Sequence, residues 1–138
     1  MRLLKRAAIT LPMAAAITFA MTTSAHAGTD ATAFTGWVYD TSEAGGKVTF
    51  KHYGEHLLIE DRKKDGNSAI GAITFLPEST RYYYWNRNGA GTTRDVNLSM
   101  AEGKRCLLQA YLGNWSGTAT GGIDWNSTDA IGSRVCAA

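Results

Sequence analysis

The stretch GGKVTFKHYGEHLLIEDRKKDGNSAIGAITFL, residues 45–76, decides the predicted fold because it alternates short apolar runs with turn sequences. Its apolar runs are rich in β-branched and aromatic residues, and they occupy Val48–Phe50, Leu57–Ile59 and Ala69–Leu76. Glycine occurs between the runs, and Asp65-Gly66 is a strong turn signal. The stretch therefore predicts a three-stranded antiparallel meander.

The third run is almost wholly apolar, which predicts a central strand covered on both faces, with a bulge at Gly71. Alternating patterns extend the first two runs to strands over residues 47–53 and 56–62 and predict further strands over 34–39, 81–86, 93–100 and 104–112, with weaker signals at 115–119 and 131–136. Residues 28–33 are predicted to be a flexible leader, and no segment has the pattern of a long amphipathic helix. We therefore predict an all-β fold, a single antiparallel β-sandwich of about 7–9 short strands.

The first 27 residues have the features of a secretory signal peptide. Arg2, Lys5 and Arg6 form a positive n-region, an apolar stretch follows, and Ala25-His26-Ala27 is a small-residue cleavage site. The apolar part is shorter than the ~20 residues that a membrane span needs. We predict a secreted, extracellular protein in which residues 1–27 are removed and residues 28–138 form one domain without membrane attachment.

Removal of the signal peptide would also change the charge. The 138-residue chain contains 14 Lys and Arg against 12 Asp and Glu, but three of the basic residues and none of the acidic ones lie in residues 1–27. The net charge of +2 thus becomes −1 in the mature chain. Because charges of both signs are scattered, the composition predicts no nucleic-acid partner. A monomer without a cofactor is expected.

Two cysteines, Cys106 and Cys136, lie in the mature chain. Export would place them in an oxidising compartment, where they are expected to form a disulfide. The loop that they close should stabilise the fold by about 3–4 kcal/mol on the chain-entropy model. No histidine or acid lies beside either cysteine in sequence to activate a thiolate, so a structural role is expected.

One motif resembles a metal site. His52-Tyr53-Gly54-Glu55-His56 matches H-x-x-E-H, the inverted pattern of some zinc peptidases, and a metal-dependent hydrolase through His52, Glu55 and His56 is a distant alternative. That chemistry needs one helix, so that both histidines share a face. Gly54 and strand-like flanks instead predict a hairpin turn and no bound metal. Paired carboxylates for glycoside cleavage stay open, because sequence spacing does not give their separation.

Aromatic residues provide the clearest candidates for binding. Tyr82–Trp85 is a run of four aromatic residues, and a strand would point half of them to each face. Exposed tyrosine and tryptophan on a rigid sheet suit stacking on sugar rings or contact with a protein surface. We predict ligand contacts from Tyr83, Trp85, Trp115 and Trp125. The alternative is that a loop covers this face and the rings pack beneath it.

Three segments resemble a group of small secreted proteins of actinobacteria, of the Streptomyces type. They are AGGKVTFKHYGEH (44–56), DGNSAI (65–70) and NLSMAEGKRCLLQAY (97–111). The group has the patterns A-G-G-x-V-x-F-x-x-Y-G-[DE] and D-G-x-x-A, and many members have a late cysteine where this chain has Gln109–Leu112. The resemblance implies a compact, exported β-sandwich of uncharacterised function and implies no activity.

Small size, export, aromatic crowding and the lack of a recognisable catalytic constellation lead to one functional hypothesis. We expect a secreted, non-catalytic β-sandwich that binds an extracellular ligand, either a polysaccharide or a protein surface. The alternative is a proteinaceous inhibitor of a secreted hydrolase.

Overall fold

The computed structural model describes residues 27–36 and 41–138. Within these ranges the chain is all-β, with one short 3-10 turn at Thr41–Glu43 and no α-helix. Its nine strands are Ala31–Phe34 (β1), Gly46–Lys51 (β2), His56–Asp61 (β3), Ser68–Phe75 (β4), Thr80–Asn86 (β5), Thr93–Asn97 (β6), Arg105–Gly113 (β7), Ile123–Asp124 (β8) and Arg134–Ala137 (β9). The predicted signal peptide lies outside the described residues except for Ala27, and no helix within them could cross a membrane.

The strands form two antiparallel sheets that pack face to face as a sandwich, which confirms the predicted fold class. The first sheet has the order β1-β2-β3-β6. The second has the order β5-β4-β7, with β8 and β9 both paired to the far edge of β7. An isolated bridge between Thr29 and Ala137 joins the segment just before β1 to β9, so the two sheets meet at this corner.

The predicted three-stranded meander is wrong in its third strand. The hairpin β2–β3 forms as expected, but the other neighbour of β3 is β6. The turn after β3 takes the chain across to the second sheet, where β4 lies between β5 and β7. Ala69–Thr74 is buried throughout, so β4 needs cover on both faces, and only the middle of the second sheet provides it.

The main core lies between the sheets. Val48, Phe50, Leu57 and Ile59 of the first sheet are fully buried against Ala69, Ile73, Leu108 and Ala110 of the second. Burial of these side chains contributes about 1.5–3 kcal/mol for each of the larger ones.

Gly71 lies on the face of β4 that packs against the first sheet. No bulge interrupts β4 there, since Gly71 pairs regularly with Tyr84 on one side and Ala110 on the other, so the predicted bulge is wrong. A Cβ at this position would lie 3.0 Å from side-chain carbons of both Val48 and Ile59. The glycine therefore allows a close approach of the first sheet.

The predicted disulfide is confirmed. Cys106 of β7 and Cys136 of β9 are directly opposite each other in the strand register, and both are fully buried. The bond closes a loop with a sequence separation of 30 residues, which contains β8 and the segment that covers the second sheet. It therefore fastens the last strand of the described chain to the centre of the fold.

The structure differs from the predictions in three further segments. Residues 28–33 are not a flexible leader, because β1 pairs with β2 and its small residues Ala31 and Ala33 face the core. The pattern was missed because alanine is a weak signal of a buried strand. Residues 115–119 form no strand, and the strand predicted over 131–136 is confined to β9. Of the strand predicted over 34–39, residues 37–39 lie outside the described residues, and in its described half Phe34 is the last residue of β1.

Candidate functional site

The outer face of the second sheet, the face turned away from the first sheet, carries a second and smaller core. Its buried members are Ile70, Ala72, Trp85, Tyr111 and Ile123, and Tyr83 packs partly buried against them. In the strand register Ile70 lies between Trp85 and Tyr111, and Ala72 lies between Tyr83 and Gln109. The run Tyr82–Trp85 thus divides as predicted, with Tyr83 and Trp85 on the outer face.

A covering segment, residues 114–126, folds over one end of this face. The indole Nε1 of Trp85 donates a hydrogen bond to the carbonyl of Ala119 at 2.8 Å, and Trp85 is only 3% exposed. The segment follows Gly113 at the end of β7, where a Cβ would lie 2.4 Å from the carbonyl oxygen of Gly122, so no larger residue fits without moving the segment. Trp85 therefore holds the covering segment and cannot contact a ligand in this arrangement, unlike the sequence prediction.

Trp125 is the most prominent ring of the face. It makes edge-to-face contacts with Tyr83, at 5.8 Å between ring centroids, and with Tyr111, at 5.6 Å. Its side chain is nevertheless 49% exposed. Edge-to-face contacts of this kind add about 0.5–1.5 kcal/mol beyond area burial, so they fix the orientation of the indole. Trp125 is thus a large exposed ring held in place by two others.

Trp115 forms the second exposed position and is 38% exposed. Its ring lies edge-to-face with Trp85 at 5.2 Å, and the guanidinium of Arg87 lies 4.8 Å from the ring centroid. Its neighbour Asn114 donates a side-chain hydrogen bond to Asn67 at 3.1 Å, which ties the start of the covering segment to the turn after β3. A cation–π contact contributes about 0.5–1 kcal/mol at an exposed site.

The structure therefore brings all four predicted binding residues to one face, three of them accessible. We define the aromatic surface as Tyr83, Trp115 and Trp125, supported from below by Trp85 and Tyr111.

Polar groups that the sequence analysis did not single out border the aromatic surface. Arg81 lies two residues before Tyr83 on β5, and Gln109 lies opposite Ala72 on β7. Nε of Arg81 donates to the hydroxyl of Thr74 at 2.8 Å. Burial raises the pKa of Tyr111, although the positive charge of Arg81 opposes that shift. Because the pKa of the phenol is raised, the phenol stays protonated at neutral pH. The face combines flat rings with hydrogen-bond donors.

The HYGEH motif is a hairpin turn, as the sequence interpretation had it. Nδ1 of His52 lies 2.7 Å from Oδ1 of Asp30, and Nδ1 of His56 lies 2.7 Å from Oδ1 of Asp95, so each imidazole binds a different neighbouring segment. The helical geometry of a zinc peptidase is not formed. Within the described ranges no cluster of three or more His, Cys, Asp or Glu residues is arranged to hold a metal.

At the tip of this hairpin Tyr53 is 89% exposed. The backbone of the tip is held on both sides, since the N–H of Leu98 donates to the carbonyl of Glu55 at 2.9 Å and the N–H of His52 donates to Asp30 at 2.9 Å. Tyr53 is therefore an exposed aromatic side chain on an ordered turn of the first sheet.

A cleft of about 500 Å³ lies beyond the Arg87 end of the aromatic surface. Asp61, Lys63 and Arg87 are among the residues that line it. Asp61 is buried, and its Oδ1 has no hydrogen-bond partner among the described residues. Burial raises the pKa of Asp61, although the backbone N–H of Lys63 donates to the carboxylate and opposes the shift.

Comparisons of the chain with models of protein families, with curated proteins and with solved structures found no match. The resemblance to small secreted actinobacterial proteins thus stays a prediction.

Proposed function

We propose that this chain is an extracellular, non-catalytic module that binds polysaccharide through its aromatic surface. The observation that carries the proposal is Trp125, a half-exposed indole fixed against Tyr83 and Tyr111. A sugar ring presents a flat array of C–H groups, and a rigid aromatic face packs against it without losing side-chain freedom on binding. The predicted signal peptide and the disulfide support an extracellular location.

Three features of the surface favour a polysaccharide over a small apolar ligand. The exposed rings share one side of the molecule, since Tyr83 lies on β5 and the covering segment holds Trp115 and Trp125 over the same face, so an extended chain can contact more than one ring. Trp115 and Trp125 give two separate positions for stacking, both anchored on the same buried layer. The hydroxyl of Tyr83 and the side chains of Arg81 and Gln109 supply the polar contacts that sugar hydroxyls require.

Affinity electrophoresis in gels that contain soluble polysaccharides, with depletion assays on insoluble ones, tests the proposal. We expect the wild-type protein to be retarded by at least one polysaccharide. Trp125→Ala should weaken that binding at least tenfold, which corresponds to about 1.4 kcal/mol. Tyr53→Ala is the matched control, because it removes an even more exposed aromatic side chain from the other sheet and should leave binding unchanged.

Two results would contradict the proposal. One is a wild-type protein that binds none of the cell-wall and storage polysaccharides tested. The other is equal binding by the wild type and the Trp125→Ala variant, which would place the ligand elsewhere on the molecule.

A second candidate function, inhibition of a secreted hydrolase, is favoured by one different observation. Tyr53 projects from an ordered hairpin tip, and a protruding, pre-ordered aromatic residue suits a concave substrate cleft. Titration against extracellular proteases and amylases tests it. Stoichiometric loss of enzyme activity that disappears in Tyr53→Ala would support inhibition, whereas full activity at equimolar protein would exclude it for those enzymes.

A further inference from the structure

The outer face of the second sheet has an unusual charge distribution. Side chains alternate along each strand, so the register identifies the outward positions of β4, β5, β7 and β9. Two arginines occupy such positions, Arg81 on β5 and Arg105 on β7. No Asp or Glu occupies any outward position of these four strands. The outward strand positions around the aromatic surface thus carry positive charge only, although the predicted mature chain has a net charge of −1. Two exposed acids lie nearby outside these positions, Glu78 in the β4–β5 turn and Asp124 in β8.

Five basic side chains elsewhere on the molecule are paired with neighbouring acids, whereas Lys64 and Arg94 form no ion pair among the described residues. Five ion pairs with Lys or Arg occur among the described residues, and they join Lys47 to Glu60, Lys51 to Asp30, Lys63 to Glu43, Lys104 to Glu78 and Arg134 to Asp129. The acid nearest in sequence to Arg81, Glu78 in the β4–β5 turn, is therefore already paired with Lys104.

The arginines around the aromatic surface differ from these paired residues. Arg81 is exposed and donates to the neutral hydroxyl of Thr74, and Arg105 is exposed at the same end of the sheet. At the other end Arg87 packs over the ring of Trp115. Within residues 27–36 and 41–138, none of the three forms an ion pair with a carboxylate. Their guanidinium groups are available to a ligand.

Arginine is well suited to bind a carboxylate, because its planar guanidinium presents two parallel N–H donors to the two oxygens. Arg81 and Arg105 lie on strands two apart, with β4 between them, so with strands about 4.8 Å apart they are separated by roughly 10 Å or more across the sheet. Two anionic groups on successive parts of an extended chain could therefore each meet one arginine, while a sugar ring stacks on Trp125.

We infer that the polysaccharide is acidic and carries carboxylates, as in chains of uronic acid residues. This inference rests on the proposed function, because it names the class of glycan for the same surface. Sulfate or phosphate groups would offer the same negative charge with a different shape, and the experiment separates them.

The test compares polygalacturonate with its fully methyl-esterified form, which has the same sugar and no charge. We expect the wild type to bind polygalacturonate at least tenfold more tightly than the ester at low salt, with the difference shrinking as salt is raised. Arg81→Gln and Arg105→Gln should each weaken binding about three- to tenfold. Lys51→Gln makes the same change of charge on the first sheet and should have no effect.

A parallel arm uses dextran sulfate and neutral dextran. Binding to dextran sulfate but not to polygalacturonate or alginate would overturn the assignment to carboxylates. Equal binding to polygalacturonate and its ester, lost in Trp125→Ala, would overturn the acidic class while the proposed function stands. Failure to bind any of these or other polysaccharides would remove both. Arg81→Lys keeps the positive charge but loses the two parallel N–H donors of the guanidinium. This variant should bind better than Arg81→Gln and more weakly than the wild type.

Discussion

Asn86 joins the two sheets at the end of β5, and its replacement by alanine should destabilise the protein. The side chain is fully buried. Its Nδ2 donates to the carbonyl oxygens of Ile59 at 3.0 Å and Thr92 at 2.9 Å, and its Oδ1 accepts from the backbone N–H of Asn88 at 3.1 Å. One amide group thus ties the second sheet to β3 and holds the turn that carries Arg87.

The size of the effect follows from the partners that alanine would leave behind. The carbonyl of Thr92 keeps another donor, the backbone N–H of Asp61 at 3.0 Å, and Asn88 is exposed, so water can replace its partner. The carbonyl of Ile59 lies in a buried residue and loses a donor. Lost hydrogen bonds at about 1 kcal/mol each, with a small cavity, predict that Asn86→Ala lowers the free energy of unfolding by about 2–4 kcal/mol.

Urea denaturation followed by tryptophan fluorescence measures the change. Asn88→Ala is the matched control, since that residue is exposed and only its backbone bonds to Asn86, and its effect should stay within about 0.5 kcal/mol. Asn86→Asp keeps an acceptor but loses both donors, so it should be at least as destabilising as alanine. Unfolding of Asn86→Ala at the same urea concentration as the wild type would show that this amide does not hold the sheets together.

Three further predictions concern titration and cross-linking. Burial raises the pKa of Asp61 above its unfolded value of 3.8, so the charged carboxylate opposes folding at higher pH. Asp61→Asn should therefore melt at a higher temperature than the wild type at pH 7, and this difference should be lost below about pH 3, where the carboxyl group is protonated in both states. A lower melting temperature of the variant at pH 7 would contradict this. The backbone N–H of His52 and the side chain of Lys51 lower the pKa of Asp30 to about 2. Its charge therefore stabilises the fold above pH 3.8 and this contribution fades as the pH falls towards 2, so Asp30→Asn should melt below the wild type at pH 6 and together with it near pH 2. The Cys106→Ala, Cys136→Ala double variant should lose about 3–4 kcal/mol in urea denaturation, and a loss below about 1 kcal/mol would show that the bond adds little to a well-packed β7–β9 pair.

The strands were largely predictable from sequence, whereas their neighbours were not. Alternation shows which residues share a face, so β2, β3, β5 and β7 were predicted within one or two residues of their observed bounds. It does not show which strand lies beside which. The turn from Asp61 to Ser68 reads equally well as a hairpin or as a crossing between sheets, and the burial of both faces of β4 decides between them only once the layers are known.

The candidate site shows the same division. Aromatic residues are conspicuous in sequence, so Tyr83, Trp115 and Trp125 were identified, but the burial of Trp85 depends on a hydrogen bond to Ala119, 34 positions away. The role proposed for Arg81 and Arg105 depends on the lack of an acidic side chain that pairs with either guanidinium group. A sequence lists every acid and base, whereas the pairing of the acids with lysines elsewhere appears only in the folded chain.

The two apolar clusters, one on each face of the second sheet, also bear on how such a protein can change over time. The first cluster secures the sandwich, while the second fastens the covering segment that carries Trp115 and Trp125. A substitution in residues 114–126 therefore alters the surface offered to a ligand without touching the side chains between the sheets. Descendants of this chain could acquire new ligands by varying one segment, while the scaffold beneath it stays the same.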